Sequence, residues 1–281
     1  MKSVIAFGRM IKFSHSIFAM PFALAAAVMA ARSHPTTWVQ WALIVVCMVA
    51  ARSAAMGFNR VVDRHIDAKN PRTATREIPA GVVSLPAAIG FTTLAAAVFV
   101  VAAFTLHPLC GWLSPVALAV VCGYSYGKRF TSLVHLWLGV ALGIAPIAAW
   151  IAITGGVTAT PLVLFVAVAT WVAGFDILYS LQDEDFDKSQ GLNSIPARLG
   201  QRISMQVSTL LHVVTMAALA SLPFLEPLSW PYWVGVVAIG SVLAYEHHLV
   251  KPGDLSKIDK AFFDLNGYIS LAFLVAVLAA G

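Results

Sequence analysis

The chain has 281 residues, 59% hydrophobic and only 11% charged, with a formal net charge of +5. Soluble domains carry about 25% charged residues, so composition excludes an ordinary soluble globular fold, and the mild basic excess reads as a membrane-orientation signal rather than a nucleic-acid surface. The 3 cysteines, Cys47, Cys110 and Cys122, lie inside or at the ends of apolar runs, and an odd count without metal-like spacing argues against a disulfide framework or a zinc site.

A bilayer-crossing helix needs about 20 mainly apolar residues. The apolar runs predict nine of them, at about 14–31, 37–57, 84–106, 109–126, 133–153, 161–181, 203–223, 229–248 and 262–280. The first, preceded by Lys2, Arg9 and Lys12, has the outline of a signal peptide, but the charge sorting of the later loops requires it to be retained. Breaker residues separate most spans, among them His34-Pro35, Pro108, Gly155-Gly156, Pro227 and Pro252-Gly253. Of the 18 Lys and Arg, 16 fall in the N-terminus and in the loops after spans two, four, six and eight; Arg32 lies on the other side and Arg52 inside a span. Positive charge stays cytoplasmic, so the N-terminus is expected inside and the C-terminus outside, as an odd number of spans requires. The expected fold is all-α: a polytopic membrane protein of the inner (cytoplasmic) membrane, with residues 1–281 forming a single transmembrane domain. Trp38, Trp41, Trp230 and Trp233 near span ends suit an interfacial aromatic belt, and Gly139 and Gly143 suit close helix packing. Glu246, His247 and His248 end the eighth span without a spacing that compels a metal.

Twelve of the 13 acids share the cytoplasmic side with the cations, and insertion rules do not explain that. Eight of them gather in two clusters at equivalent positions, four spans apart. The first is FNRVVDRHIDAKNPRTATREIP, residues 58–79, where Asn59, Asp63 and Asp67 stand one helical turn apart; the second is DILYSLQDEDFDKSQGLNS, with Asp176, Asp183 and Asp187. Stacked carboxylates repel one another, and hard divalent cations take carboxylate and amide oxygens; Mg²⁺ commonly uses one or two carboxylates plus substrate phosphates. Arg60, Arg64, Lys69, Arg72 and Arg76 crowd the first loop, Lys128 and Arg129 the next, and Lys188 and Arg198 the third. Metal-binding acids interleaved with guanidinium and ammonium groups suit a diphosphate better than a bare cation. A single loop Arg reads first as a topology signal, and a lone D-x-x-x-D is weak; two such runs at matching positions are a stronger signal. A cation-coupled transporter is the rival of another class, but its acids belong at mid-membrane rather than at helix ends among basic residues.

The stretches NRVVDRHIDAKNPRTATREIPAG and DILYSLQDEDFDKSQGLNSIPARLG, with YSYGKRFT (124–131) and IKFSHSIFAMPFA (11–23), resemble the signature segments of the UbiA-type intramembrane aromatic prenyltransferases. The resemblance extends over the whole chain and is strongest to the branch of the 4-hydroxybenzoate polyprenyltransferases and the related enzymes of the futalosine route to menaquinone. It implies nine helices around a central cavity capped on the cytoplasmic side. It implies Mg²⁺ held by Asn59, Asp63, Asp67, Asp183 and Asp187, and diphosphate held by Arg72, Arg76, Lys128, Arg129 and Lys188. Asp176, Tyr179 and Arg129 are then the expected catalytic residues. The second cluster is unusually acidic, and Asp185 reads as a solvated neighbour rather than a ligand.

The implied reaction ionises an allylic diphosphate by stabilising the departing pyrophosphate, while aromatic faces and carboxylates (Tyr124, Tyr126, Tyr179, Asp176) steady the allylic cation. An electron-rich phenol ring then attacks through carbon and loses a proton. Arg52 is expensive inside a span; it shares the face of Asn59 about 10 Å deeper and suits the carboxylate of an aromatic acid. His15 and Tyr124 are further acid-binding candidates. Both 4-hydroxybenzoate, with ubiquinone or menaquinone as the eventual product, and 1,4-dihydroxy-6-naphthoate present an activated ring and a carboxylate. The expected partners are a polyprenyl diphosphate, an aromatic acid and the lipid bilayer, with no nucleic acid and no obligate protein partner.

Overall fold

The computed structural model describes residues 7–8, 10, 19–251, 253–258 and 264–281. In chain order its principal helices are α1 (Met20–Ala31), α2 (Trp38–Lys69), α3 (Leu85–Leu106), α4 (Pro108–Gly123), α5 (Val134–Thr154), α6 (Ala159–Ser180), α7 (Ile195–Ser221), α8 (Trp230–Leu249) and α9 (Asn266–Ala279). A 3₁₀ segment, Tyr124–Arg129, follows α4, and a 3₁₀ turn, Leu181–Asp183, with a short helix, Glu184–Ser189, follows α6. Six helical segments are long and apolar enough to cross a membrane: α2, α3, α4 with its 3₁₀ extension, α5, α6 with its extension, and α7. Among the described residues each predicted span contains one of these principal helices, though α1 and α9 are short and the first and ninth predicted spans fall partly on residues outside the described set. Among the described residues there is no strand, only an isolated bridge between Lys251 and Asp254.

The chain folds as two compact units, Met1–Ser16 with Thr37–Tyr126, and Ile17–Thr36 with Gly127–Gly281. In the first, α2 packs along α3, and α4 lies against both. Thr37 starts α2 with a capping box: its hydroxyl accepts from Gln40 N and the Gln40 side chain accepts from Thr37 N at 2.9 Å. The helix does not stop at 57, where the apolar run ends. Nothing breaks its backbone until Asn70-Pro71, where the clash between a proline ring and the preceding residue excludes the α conformation; Asn70 turns extended at φ −88°, ψ 119°. Asn59, Asp63 and Asp67 therefore ride on a continuous helix of 32 residues. Gly57 lies where any Cβ would meet the Thr92 side chain, so α2 and α3 come close there.

In the second unit α1, α5, α6, α7, α8 and α9 each pack on the next and α9 returns to α1, enclosing a core of Phe22, Trp171, Leu219, Tyr232 and Phe273. Phe22 stacks on Phe273 at 4.5 Å between ring centres. Lipid is as apolar as leucine, so close packing and buried hydrogen bonds hold such helices together. A Cβ at Gly139 would strike the Ala169 carbonyl, and one at Gly143 would crowd Phe165. Trp171 Nε1 donates to Asn266 Oδ1 at 2.8 Å, Tyr232 to Leu219 O at 2.8 Å, and Ser208 to Gly174 O at 2.8 Å. Helix α7 starts eight residues before the predicted 203: Ser194 Oγ accepts from Ala197 N, Pro196 sits in the first turn, and Gly200 at φ +74° kinks the helix where a side chain would be strained.

Candidate active site

The last turns of α2 carry the first acidic run. Asn59 Nδ2 donates to Asp63 Oδ2 at 2.7 Å, as residues one turn apart should, and also reaches Ser125 Oγ at 3.4 Å. Its oxygen is taken by Arg60 Nη1 at 3.3 Å, and the buried Arg60 is anchored through Nε on Met10 O at 3.3 Å. The atom that Asn59 turns to Asp63 is thus a nitrogen, and direct ligation of a cation needs its amide turned over. One turn on, Asp67 Oδ1 takes Arg76 Nη1 at 2.6 Å. Its other oxygen is buried and has no partner among the described residues. The chain returns to Asp67 because Asn70 Oδ1 accepts from Arg72 N at 2.9 Å and Thr73 Oγ1 donates to Asp67 O at 3.1 Å. Arg72 itself is exposed. Deeper on α2, Arg52 Nε is buried without a hydrogen-bond partner among the described residues. His15 lies outside the described residues.

The second acidic run is not the single ladder that its spacing suggested. Helix α6 ends at Ser180, a 3₁₀ turn places Asp183, and a new short helix starts at Glu184. The tighter winding of the 3₁₀ turn breaks the register between Asp176 and the acids beyond it. Asp183 and Asp187 are both buried, Asp187 at 1% exposure. Lys128 Nζ straddles Asp187, 3.0 Å from Oδ2 and 3.3 Å from Oδ1. The backbone locks this pair: Asn193 N donates to Lys128 O at 2.7 Å and Leu192 N to Asp187 O at 2.8 Å. Lys188 is half-exposed and bonded to Glu184 Oε1 at 2.5 Å, which raises its pKa above the ordinary lysine value. It must leave Glu184 to meet a phosphate. Asp185 and Arg129 are exposed, while Tyr124 and Tyr179 are half-buried.

Asp176, in the last turns of α6, is held by a residue the sequence did not single out. His135 Nδ1 on α5 lies 2.7 Å from Asp176 Oδ2. Its only sequence signal was an imidazole within an apolar run just after KRFT. Arg60 and Ser125 were also missed as supports of Asn59. So was the buried chain from Trp171 through Asn266 to Glu246, in which Asn266 Nδ2 donates to Glu246 Oε1 at 3.1 Å.

Within neither unit do three carboxylate, imidazole or thiol groups converge, among the described residues. Magnesium does not need three: one or two carboxylates and substrate phosphates complete its shell. The orphaned oxygen of Asp67, one turn from Asp63, is the kind of acceptor a hard cation satisfies, so the residues present fit Mg²⁺.

The model of the UbiA prenyltransferase family matches residues 19–274. A 4-hydroxybenzoate octaprenyltransferase of Vibrio parahaemolyticus is 30% identical over 91% of this chain and 89% of its own length. One of Cupriavidus necator is 28% identical over 84% and 82%. Among solved structures, the apo form of a UbiA homolog from Aeropyrum pernix K1 superposes with a TM-score of 0.86 at 30% identity, covering 94% of this chain and 97% of that one. A UbiA homolog from Archaeoglobus fulgidus, solved with GPP and Mg²⁺, has the same fold at 15% identity, with a TM-score of 0.73 and coverage of 98% and 99%.

Proposed function

This chain belongs to the UbiA prenyltransferase family and is an integral-membrane prenyltransferase; from that premise we propose that it transfers a polyprenyl group from polyprenyl diphosphate to a ring carbon of 4-hydroxybenzoate, in the presence of Mg²⁺, as a step of quinone biosynthesis. Residues 1–281 act as one catalytic domain in the inner membrane, with the N-terminus and the acidic turns cytoplasmic and the C-terminus outside.

The observation that carries this reading is Asp67, whose carboxylate is gripped by Arg76 on one oxygen and left buried, without a partner among the described residues, on the other. Such a group is costly unless a cation completes it. In this reading Asp63 and Asp67 in one unit, and Asp183 and Asp187 in the other, hold Mg²⁺, with Asn59 joining them once its amide is reversed. Bound Mg²⁺ neutralises the charge that builds up on a departing diphosphate. Arg72, Arg76, Lys128 and Arg129 take the remaining phosphate oxygens through charge-assisted hydrogen bonds, and Lys188 joins them on leaving Glu184. Asp176 and Tyr179, with Tyr124 and Tyr126, present negative or π-rich surface to the allylic cation. Arg52, whose buried Nε lacks a partner, receives the carboxylate of the aromatic acid, and His15 assists it. The relatives named for 4-hydroxybenzoate favour that acid over 1,4-dihydroxy-6-naphthoate.

The test supplies the purified chain in lipid with a labelled polyprenyl diphosphate and each acid in turn, and identifies the product by mass. Prenylated 4-hydroxybenzoate with pyrophosphate release that stops on chelation is the expected result. Product from the naphthoate alone moves the acceptor, and no transfer to either acid overturns the reading.

A further inference from the structure

A buried chain of hydrogen bonds ends on a residue of the proposed reaction. His135 is 1% exposed, in the first turn of α5. Its Nδ1 lies 2.7 Å from Asp176 Oδ2, and its Nε2 lies 3.4 Å from the backbone nitrogen of Ile195, the first residue of α7. A backbone N–H can only donate, so Nε2 must be bare and the ring proton must sit on Nδ1, pointing at Asp176. The N–H of Ile195 is one of the donors that every helix start leaves without an intrahelical partner, and this one is spent on an imidazole rather than on water.

The same short stretch of backbone is fastened at three points. Leu192 N bonds Asp187 O, Asn193 N bonds Lys128 O, and Ile195 N bonds His135. The second acidic turn and the imidazole behind Asp176 are thereby set by one rigid run of chain. Only Oδ2 of Asp176 is engaged by His135, so the carboxylate can still accept at Oδ1. Its side chain is 22% exposed, whereas Phe175 and Ile177 beside it are buried. A carboxylate that steadies a cation or receives a ring proton must present that oxygen at a fixed point, since a misplacement of about 1 Å can cost about 10²-fold in rate.

We propose that His135 is a positioning residue for prenyl transfer: its Nδ1–H fixes the orientation of the Asp176 carboxylate, and the N-terminus of α7 fixes the imidazole. The proposal rests on the reaction proposed above for this chain. A purely structural His135 would serve only to cap α7, and the two roles separate by experiment.

Four variants of the full chain in lipid are compared: His135→Leu, His135→Asn, Asp176→Asn and the double variant His135→Leu/Asp176→Asn. His135→Leu is expected to lower kcat about 10- to 100-fold, as removal of an orienting partner does at other sites, with the KM for prenyl diphosphate within about twofold of wild type. His135→Asn, whose amide can still donate to Asp176, is expected to recover most of that loss. The double variant is expected to be no slower than Asp176→Asn, because residues acting through one another are not additive. Losses that multiply in the double variant, or a His135→Asn as impaired as His135→Leu, overturn the proposal. Should His135→Leu fail to fold, ¹⁵N NMR of labelled histidine decides on wild type and Asp176→Ala. A protonated Nδ1, a bare Nε2 and a downfield Nδ1 proton that is lost without Asp176 support the link, and a protonated Nε2 overturns it. That measurement needs no turnover. A wild-type chain that transfers no prenyl group to any acid sinks the reaction itself, while the NMR result still judges the His135–Asp176 link.

Discussion

The two acidic runs use the same chemistry on different supports. Asn59, Asp63 and Asp67 stand on an unbroken helix, and apart from the longer contact of Asn59 with Ser125 the bonds described for them are local: Asp63 is one turn from Asn59, Arg60 is adjacent to Asn59 and Arg76 lies nine residues beyond Asp67. Asp183 and Asp187 stand on a 3₁₀ turn and a helix of 6 residues, too short to be stable alone. Asp187 is matched by Lys128, 59 residues earlier. One run is stiffened by its own helix, the other by a remote lysine and by backbone bonds from residues 192 and 193. The comparison teaches that local periodicity suffices to build the first run, whereas the second exists only once its unit has folded.

Five substitutions break or sharpen that contrast. The largest effect is expected at Asp67→Asn, which leaves Arg76 without its anion and removes a proposed Mg²⁺ ligand; prenyl transfer should fall about 10³-fold with no loss of helical circular dichroism. A fall of less than tenfold would mean that the first run does not drive departure of the diphosphate. Next comes Lys128→Met, which strands Asp187 in a nearly dry setting. The expected result is a KM for prenyl diphosphate raised about tenfold together with a melting temperature several degrees lower. Arg76→Met should raise the same KM with a smaller thermal loss, since it strands Asp67 but α2 persists without it. Equal melting shifts in the two variants would erase the distinction between a local and a remote support.

Arg52→Ala tests the deep end of α2. Hydrogen bonds to charged groups contribute about 1.5–3 kcal/mol, so the KM for the aromatic acid should rise about 10- to 100-fold, with the KM of the prenyl donor nearly unchanged. Parallel rises in both would remove Arg52 from the acid site. The smallest effect is expected at Lys188→Met. Its partner Glu184 is one turn away, solvent screens the exposed ammonium, and initial rates should change less than threefold. A larger loss would mean that Lys188 carries as much of the grip on the diphosphate as Lys128 does.

The sequence by itself determined the helices, because about 20 apolar residues can do little else in lipid, and it located both acidic runs, because a helical repeat of four is visible along one stretch of chain. Hydropathy ended the second span at 57 because it marks where lipid stops rather than where a backbone breaks; the repeat of four through Asp67 carried the helix further, and Pro71 marks its end. Only the tertiary structure decided that Lys128 meets Asp187, that Arg60 draws the Asn59 amide oxygen away from the ladder, and that His135 holds Asp176. The first and last of those pairs join residues 59 and 41 apart on different elements. The second depends on which rotamer a buried arginine takes once Met10 supplies its carbonyl. No repeat along a single segment encodes such contacts, because helix packing, not local spacing, brings their atoms within bonding distance.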